Sequence, residues 1–265
     1  MKQRVDVWLV EKGYFQSREQ AQRSIMAGEV LINNKQVAKA GQLINYDNAE
    51  VTLNGNIQKY VSRGAYKLEK AIELFNIKVP GRICFDAGAS TGGFTDYLLQ
   101  AGASHVYAVD VGYGQLAWKL RQDDRVTVFE RENIRYFSKE KLPQLPSLIT
   151  ADLSFISLSL VMSKFKELLI AGGDLITLIK PQFEAGKEKV GKKGVVRDKA
   201  VHIEVLERLI QDGKNIGWFL KSLTFSPILG PEGNIEYLGH WQLETGSVFS
   251  DLELIVEKSW AELKL

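Results

Sequence analysis

The sequence predicts an α/β protein in two parts, a small α+β segment followed by a mostly parallel, doubly wound sheet. Three observations predict it. From Arg82 onward, apolar strand-like runs alternate with helical patterns, the signature of parallel strands joined by covering helices. The first of those runs ends in a glycine-rich turn that leads straight into a helix. Before residue 60 the elements are instead short and turn-rich, and a break falls near residues 54–62.

The N-terminal segment reads helix, helix, hairpin. Val5, Trp8 and Leu9 share one helical face, with Gly13 as a stop just past the helix end. Ser17-Arg-Glu-Gln20 has the spacing of a capping box, Ala21, Ser24 and Ile25 continue that helix, and Gly28 can end it. Val30, Leu31 and Ile32 form a strand, Asn33-Asn34 a tight turn, and the chain returns through Val37. In the second part, strands are expected at Ile83–Gly88, His105–Gly112, Val126–Glu130, Leu148–Phe155 and Asp174–Pro181. Two more are expected around Phe219–Phe225 and Leu252–Glu257. Helices are expected from Gly92 to Ala103, over 157–170 and over 198–212.

Composition narrows the class. The 265 residues suffice for one large domain and a small one. Lys plus Arg number 34 against 32 for Asp plus Glu, so bulk charge alone does not indicate a polyanionic partner; the placement of the charges must decide. Cys84 is the single cysteine, so no intrachain disulfide can form, which fits a reducing compartment. His105, His202 and His240 lack metal-ligand spacing, and no metal is expected. No run approaches the roughly 18 apolar residues of a membrane span, and the N-terminus lacks a signal-peptide core. A cytoplasmic protein with no membrane partner is the expectation.

The turn Asp86-Ala-Gly88-Ala-Ser90-Thr91-Gly92-Gly93-Phe94 lets a ligand approach backbone and helix N-terminus closely. Asp110 ends the next strand, 110 − 88 = 22 residues after the first glycine, where an acid can accept both hydroxyls of a ribose. Three readings compete. A nicotinamide dinucleotide prefers GxGxxG, which Gly88-Ala89-Ser90 breaks, and Asp86 would repel its pyrophosphate. S-adenosylmethionine has no phosphate, and its cationic sulfonium and amino group suit a nearby carboxylate. The stretch Gly88-Ala-Ser90-Thr-Gly92 also matches the nucleophile elbow of serine hydrolases, although it follows the first strand of the domain and leaves Asp110 without a role.

Five segments in order carry a family resemblance: YVSRGAYKL from Tyr60, DAGASTGGFTD from Asp86, ADLSFISL from Ala151, IKPQFE from Ile179 and GNIEYL from Gly233. The second part resembles the FtsJ-like 2′-O-methyltransferases. The whole chain, with RVDVWLVEKGYFQSREQAQRSIMAGEVLINN at its start, resembles the hemolysin A (TlyA-type) rRNA methyltransferases. That resemblance implies a Rossmann-like S-adenosylmethionine-dependent methyltransferase domain over 61–265 and an S-four-type RNA-binding domain over 1–60. It implies a catalytic set at Lys67, Asp152, Lys180 and Glu236. Cofactor contacts are expected from Asp86, Gly88, Ser90, Thr91, Gly92, Gly93 and Phe94 in the turn, Asp110 and Val111 after the second strand, and Asn133, Ile134 and Asp152. The expected substrate is ribosomal RNA, free or in ribosomal subunits.

The chemistry suits that set. A ribose 2′-hydroxyl is a weak nucleophile until its proton is removed, and a lysine can serve as base when partial burial and its neighbours favour the neutral amine. Lys180 is the candidate base, Lys67 the neighbouring like charge, and Asp152 and Glu236 the groups that orient them. A 5-methylcytosine enzyme would need a catalytic cysteine, but Cys84 sits inside a strand. An adenine amino-methyltransferase would show an Asn/Asp-Pro-Pro-aromatic motif where this chain has Asp152-Leu-Ser-Phe155.

RNA contacts are expected from Arg4, Ser17, Arg18, Arg23 and Lys35 in the first domain and from Arg63 in the second. The Lys- and Gly-rich stretch from Glu184 to Asp198, with Lys187, Lys189, Lys192, Lys193 and Arg197, either closes over RNA or is a solvated loop. The alternatives from other classes are a non-catalytic ribosome-binding or assembly factor, a hemolysin-like protein that retains the fold, and the serine hydrolase.

Overall fold

A computed structural model describes residues 2–12, 14–15, 17–45, 49–53, 59–243 and 251–263, and the chain divides into two units, 1–59 and 60–265. The expected helix stop at Gly13 and most of the expected break, residues 54–58, lie outside the described residues.

The first unit contains β1 (Lys2–Arg4), α1 (Val5–Glu11), α2 (Arg18–Met26), β2 (Val30–Ile32), β3 (Lys35–Gln36), β4 (Leu43–Asn45) and β5 (Val51–Leu53). Ser17 Oγ accepts the Gln20 amide at 3.2 Å, the capping bond that the spacing predicts. Asn33 and Asn34 both take left-handed φ, 51° and 61°, as a two-residue hairpin requires. They join β2 to β3, and β5 pairs on the other edge of β2. β1 pairs with β4. These outer strands span three residues each, too short to show period-two alternation. Val5, Trp8 and Leu9 meet Ala21, Ile25, Val30 and Val37 in a small core.

The second unit holds α3 (Ala65–Leu74), β6 (Ile83–Ala87), α4 (Gly93–Gln100), β7 (His105–Asp110), α5 (Trp118–Arg121), β8 (Val126–Glu130) and β9 (Leu148–Ala151). It continues with α6 (Ser159–Leu168), β10 (Asp174–Ile179), α7 (Pro181–Glu184), α8 (Lys199–Ile216), β11 (Phe219–Phe225), β12 (Tyr237–Gln242) and α9 (Leu252–Leu263). One seven-stranded sheet runs in the order β11-β12-β10-β9-β6-β7-β8. The five strands from β10 to β8 are parallel, while β12 pairs antiparallel with both β10 and β11.

Successive strand residues feed opposite faces. Cys84, Val106, Leu148 and Ile176 pack under α3 and α4, whereas Phe85, Tyr107, Ile149 and Leu175 pack under α6, α8 and α9. Each such side chain contributes about 1.5–3 kcal/mol when fully buried. From β6 the chain steps outward through β7 and β8, then returns to the other side of β6 with β9. The switch point therefore lies between β6 and β9, and a ligand crevice opens at their C-terminal ends.

One element differs from expectation. Leu252–Glu257 begins a twelve-residue helix rather than a strand. Its run Leu-Ile-Val looks strand-like, but burial follows the helical period: Leu252, Val256 and Ser259 are buried and Leu254 is exposed. The strand β12 and the helix α3 had no sequence expectation, although Ala65, Leu68, Ala71 and Ile72 lie at helical spacing and are buried.

Candidate active site

The glycine turn after β6 runs through left-handed φ at Gly88, Ser90 and Gly92. Gly88 is required for a second reason: a Cβ there would lie 2.4 Å from the Asp152 carbonyl oxygen. Asp110, at the end of β7, is locked beside the turn because its carboxylate accepts the amides of Ser90 at 2.8 Å and Gly112 at 2.6 Å. A cleft of about 680 Å³ opens here, with Gly88, Ser90, Asp110, Val111, Asn133, Ile134 and Asp152 on its wall, all of them anticipated. Gln115, Leu153, Phe155, Ile156 and Phe183 also line it; none was expected as a contact, although all but Gln115 lie in the segments ADLSFISL and IKPQFE.

Asp86, Thr91, Gly92, Gly93 and Phe94 were expected at the cofactor but do not line the cleft. Asp86 has no exposed surface; its carboxylate accepts the hydroxyls of Thr95 at 2.7 Å and Thr150 at 3.1 Å. Burial pushes its pKa up to about 7. It braces β6 against α4 and β9. Phe94 is buried in the core, and a Cβ on Gly93 would meet Ser62 Oγ at 2.3 Å. These residues shape the turn from behind.

The four residues of the expected catalytic set form two ion pairs. Lys180 follows β10 and stands at the N-cap position of α7; its Nζ lies 2.6 Å from Asp152 Oδ1 and donates to Ser154 Oγ at 2.9 Å. Lys67, on α3, lies 2.6 Å from Glu236 Oε2, just before β12. Lys67 is therefore neutralised and is no bare like charge beside Lys180. Glu236 is fully buried, and its Oε1 has no hydrogen-bond partner among the described residues. A Cβ on Gly230 would lie 2.2 Å from that oxygen, so a larger residue there would have to displace the carboxylate. Phe155 completes the wall: it is 89% exposed, takes φ 63°, and packs its ring 4.9 Å from that of Phe183.

The hydrolase alternative fails on geometry. Ser90 Oγ lies 3.3 Å from Gln115 Oε1. The histidines are engaged elsewhere: His105 with Thr127 at 2.9 Å, His202 between Tyr237 and Val196, and His240 with Asp174 at 2.8 Å. Ser90 has no histidine base.

The residues expected at RNA divide in two. Arg4 and Arg18 both bind the fully buried Asp6, at 3.0 and 3.3 Å, while remaining about half exposed. Their bonds, Arg4 foremost, hold the Asp6 carboxyl well below the usual carboxylate range. Arg23, Lys35 and Arg63 are exposed. In the lysine-rich stretch, Lys189 pairs with Glu204. Gly191–Gly194 forms a turn carrying Lys192 and Lys193, and buried Asn234 clamps it, accepting from Val196 N at 3.2 Å and donating to Gly194 O at 2.8 Å. Among the described residues no group of His, Cys, Asp and Glu could hold a metal ion, and no helix is long and apolar enough to cross a membrane.

A parallel sheet with an antiparallel final pair, a glycine turn at the switch point and a ribose-type acid on the next strand define a Rossmann-like methyltransferase fold. The chain belongs to the FtsJ-like methyltransferase family, whose model matches residues 60–242. Residues 3–51 match the S4 domain. The chain is 52% identical to YqxC of Bacillus subtilis, provisionally named an rRNA methyltransferase, over 90% of this chain and 85% of that protein. It is 43% identical to the 16S/23S rRNA (cytidine-2′-O)-methyltransferase TlyA of Mycobacterium tuberculosis, over 93% and 92% of the two chains. A solved Streptococcus thermophilus protein, provisionally described as a hemolysin, superposes with TM-score 0.75 at 46% identity, over 99% of this chain and 97% of that one.

Proposed function

We propose that the protein transfers a methyl group from S-adenosylmethionine to a ribose 2′-hydroxyl of ribosomal RNA. The observation that carries this reading is Asp152. It lines the cleft beside the glycine turn and holds Lys180 at 2.6 Å, so a candidate base and the cofactor crevice share one residue. The naming of relatives as rRNA 2′-O-methyltransferases supports the same substrate.

The residues present fit the cofactor. Three carboxylates, Asp110, Glu132 and Asp152, and one cation, Arg135, line the cleft, a balance that suits a sulfonium and disfavours a polyphosphate. Asp110 spends one acceptor site of each oxygen on a backbone amide and keeps capacity for two ribose hydroxyls. Val111 and Ile134 offer apolar surface for an adenine. When bound, S-adenosylmethionine supplies an electrophilic methyl group. Lys180 Nζ, after releasing one of its own protons to solvent past the partly exposed Asp152, takes the proton of the acceptor hydroxyl, and Asp152 and Ser154 hold that nitrogen in place. The Lys67–Glu236 pair fixes α3 to the start of β12.

Residues 1–60 serve as the RNA-binding domain and residues 61–265 as the catalytic one, working in the cytoplasm. Arg23, Lys35 and Arg63 are the exposed cations best placed for phosphate contacts, with Arg4 and Arg18 contributing the faces that Asp6 leaves open. The deciding experiment is mass-spectrometric mapping of ribose methylation on rRNA and ribosomal subunits incubated with the protein and S-adenosylmethionine. A new 2′-O-methyl nucleotide is expected. Methylation on a base, or none, removes the reading.

A further inference from the structure

Glu184 closes α7 and is buried, yet no part of the proposed chemistry uses it. Its Oε1 accepts the Leu158 amide at 2.8 Å, and its Oε2 accepts the Ser157 hydroxyl at 2.6 Å. Leu158 is the N-cap of α6 and has no side chain able to cap it. The carboxylate therefore caps α6 from another element, with its charge at the positive end of the helix. Burial raises the Glu184 pKa, so the carboxylate sits there against a desolvation cost.

These bonds complete a ring. The segment Asp152–Ser157 leaves β9 with Asp152 N bonded to Ala87 O at 2.9 Å. Its Asp152 and Ser154 side chains hold Lys180, the residue that opens α7. Its far end, Ser157 and Leu158, is held by Glu184, the residue that closes α7. One four-residue helix is thus clipped at both ends to the same loop. Arg208, on α8, donates to the Glu184 carbonyl and fixes the outer side of the clip.

We infer that Glu184 is a positioning residue for methyl transfer, holding the Asp152–Ser157 loop against α7 so that Lys180 and Asp152 keep their mutual geometry. This rests on the proposed function. A displaced loop would move Asp152, Ser154 and Phe155 together, and a shift of about 1 Å in a reacting constellation costs on the order of 10²-fold in rate.

The test is a double-mutant cycle in the full chain. Single-turnover methylation of rRNA is measured for wild type, Glu184→Gln, Lys180→Met and the double variant, with Ser157→Ala as a second probe that keeps the bond from the Leu158 amide to Glu184 while removing those of the Ser157 hydroxyl to Glu184 and to the Ser159 amide. Glu184→Gln is expected to slow transfer about tenfold or more, with the KM for RNA changed less than about twofold. In the Lys180→Met background the same substitution should change the residual rate less than about twofold, because the geometry it protects is already without its amine. Ser157→Ala should repeat the pattern with a smaller drop. A Glu184→Gln enzyme at the wild-type rate, or one losing the same factor in both backgrounds, overturns the inference while leaving the methyltransferase reading intact. A wild-type chain that leaves rRNA unmodified removes that reading first, and this inference with it.

Discussion

Lys180–Asp152 and Lys67–Glu236 join the same kinds of charge at the same 2.6 Å, yet they occupy different physical surroundings. Asp152 keeps 24% of its side chain exposed and lines the cleft; Glu236 keeps none and has one carboxylate oxygen pressed against Gly230. An open pair can exchange a proton with an incoming hydroxyl. A sealed pair cannot, and its energetic role is to avoid leaving a buried charge alone. On the proposed function, the exposure of the acid, 24% against none, separates chemistry from scaffolding within this four-residue set, since the two lysines are equally buried.

The sharpest way to break that comparison is Lys180→Met. Methionine keeps the apolar stem and removes only the amine. Single-turnover methyl transfer should fall about 10²–10⁴-fold, the usual contribution of a positioned acid–base group. At 1.36 kcal/mol per decade that is about 2.7–5.5 kcal/mol of barrier. S-adenosylmethionine affinity and melting temperature should stay close to wild type, since Asp152 left behind is partly solvated. A variant that transfers at the wild-type rate ends the assignment of Lys180 as base.

Lys67→Met should invert the pattern. It strands the Glu236 carboxylate without a partner at zero exposure, a situation that costs about 3–5 kcal/mol. Urea denaturation should show the loss, and adding Glu236→Gln should restore part of it by removing the stranded charge. If Lys67→Met unfolds at the wild-type midpoint, the sealed pair is not scaffolding.

This division explains what the sequence disclosed and what it hid. The strands β6, β7, β8 and β10 are short, mostly apolar runs rich in β-branched and aromatic residues and stand out in the sequence. Asp110 stands out because a strand end and a glycine turn 22 residues earlier are both local signals. Lys67 and Glu236 are separated by 169 positions and meet only after α3 and β12 pack, so no spacing announces them; a family motif did. Asp86 misled for the converse reason. An acid next to a glycine turn suggests a ligand contact, but its partners Thr95 and Thr150 come from α4 and β9, and they turn it inward. The β-branched run in Leu252–Glu257 misled through local propensity, which tertiary packing overrode.

Asp110→Ala sharpens the comparison from the cofactor side. It removes a partly exposed carboxylate whose bonds to a ribose would be charge-assisted, each worth roughly 1.5–3 kcal/mol. Calorimetric titration should show S-adenosylmethionine binding weakened by about that amount for one lost bond, or more if both hydroxyls are held. Unchanged affinity in a folded variant would take Asp110 out of the site.

The smallest effects test whether exposure also sorts the cations of the first unit. Arg18 spends its guanidinium on buried Asp6, whereas Arg23 is exposed and has no carboxylate within ion-pair distance among the described residues. Arg23→Ala should leave stability within about 0.5 kcal/mol, as surface changes usually do, and reduce the salt slope of rRNA binding by about one ion. Arg18→Ala should do less to the slope and more to the fold, though under about 1 kcal/mol, because Arg18 is half exposed and Arg4 still holds the acid. The stability it removes has a pH signature. The Asp6 carboxyl is held below its unfolded value, chiefly by Arg4. Its contribution is therefore fully present above the unfolded carboxylate range, near pH 4, and is lost as pH falls below it. The difference between wild type and Arg18→Ala in thermal melts should accordingly stay constant from neutrality down through the unfolded carboxylate range at about pH 4 and shrink only at lower pH, where the Asp6 carboxyl that Arg4 still holds in the variant begins to protonate. Equal salt slopes for the two variants would mean that pairing with Asp6 does not decide which arginine meets RNA.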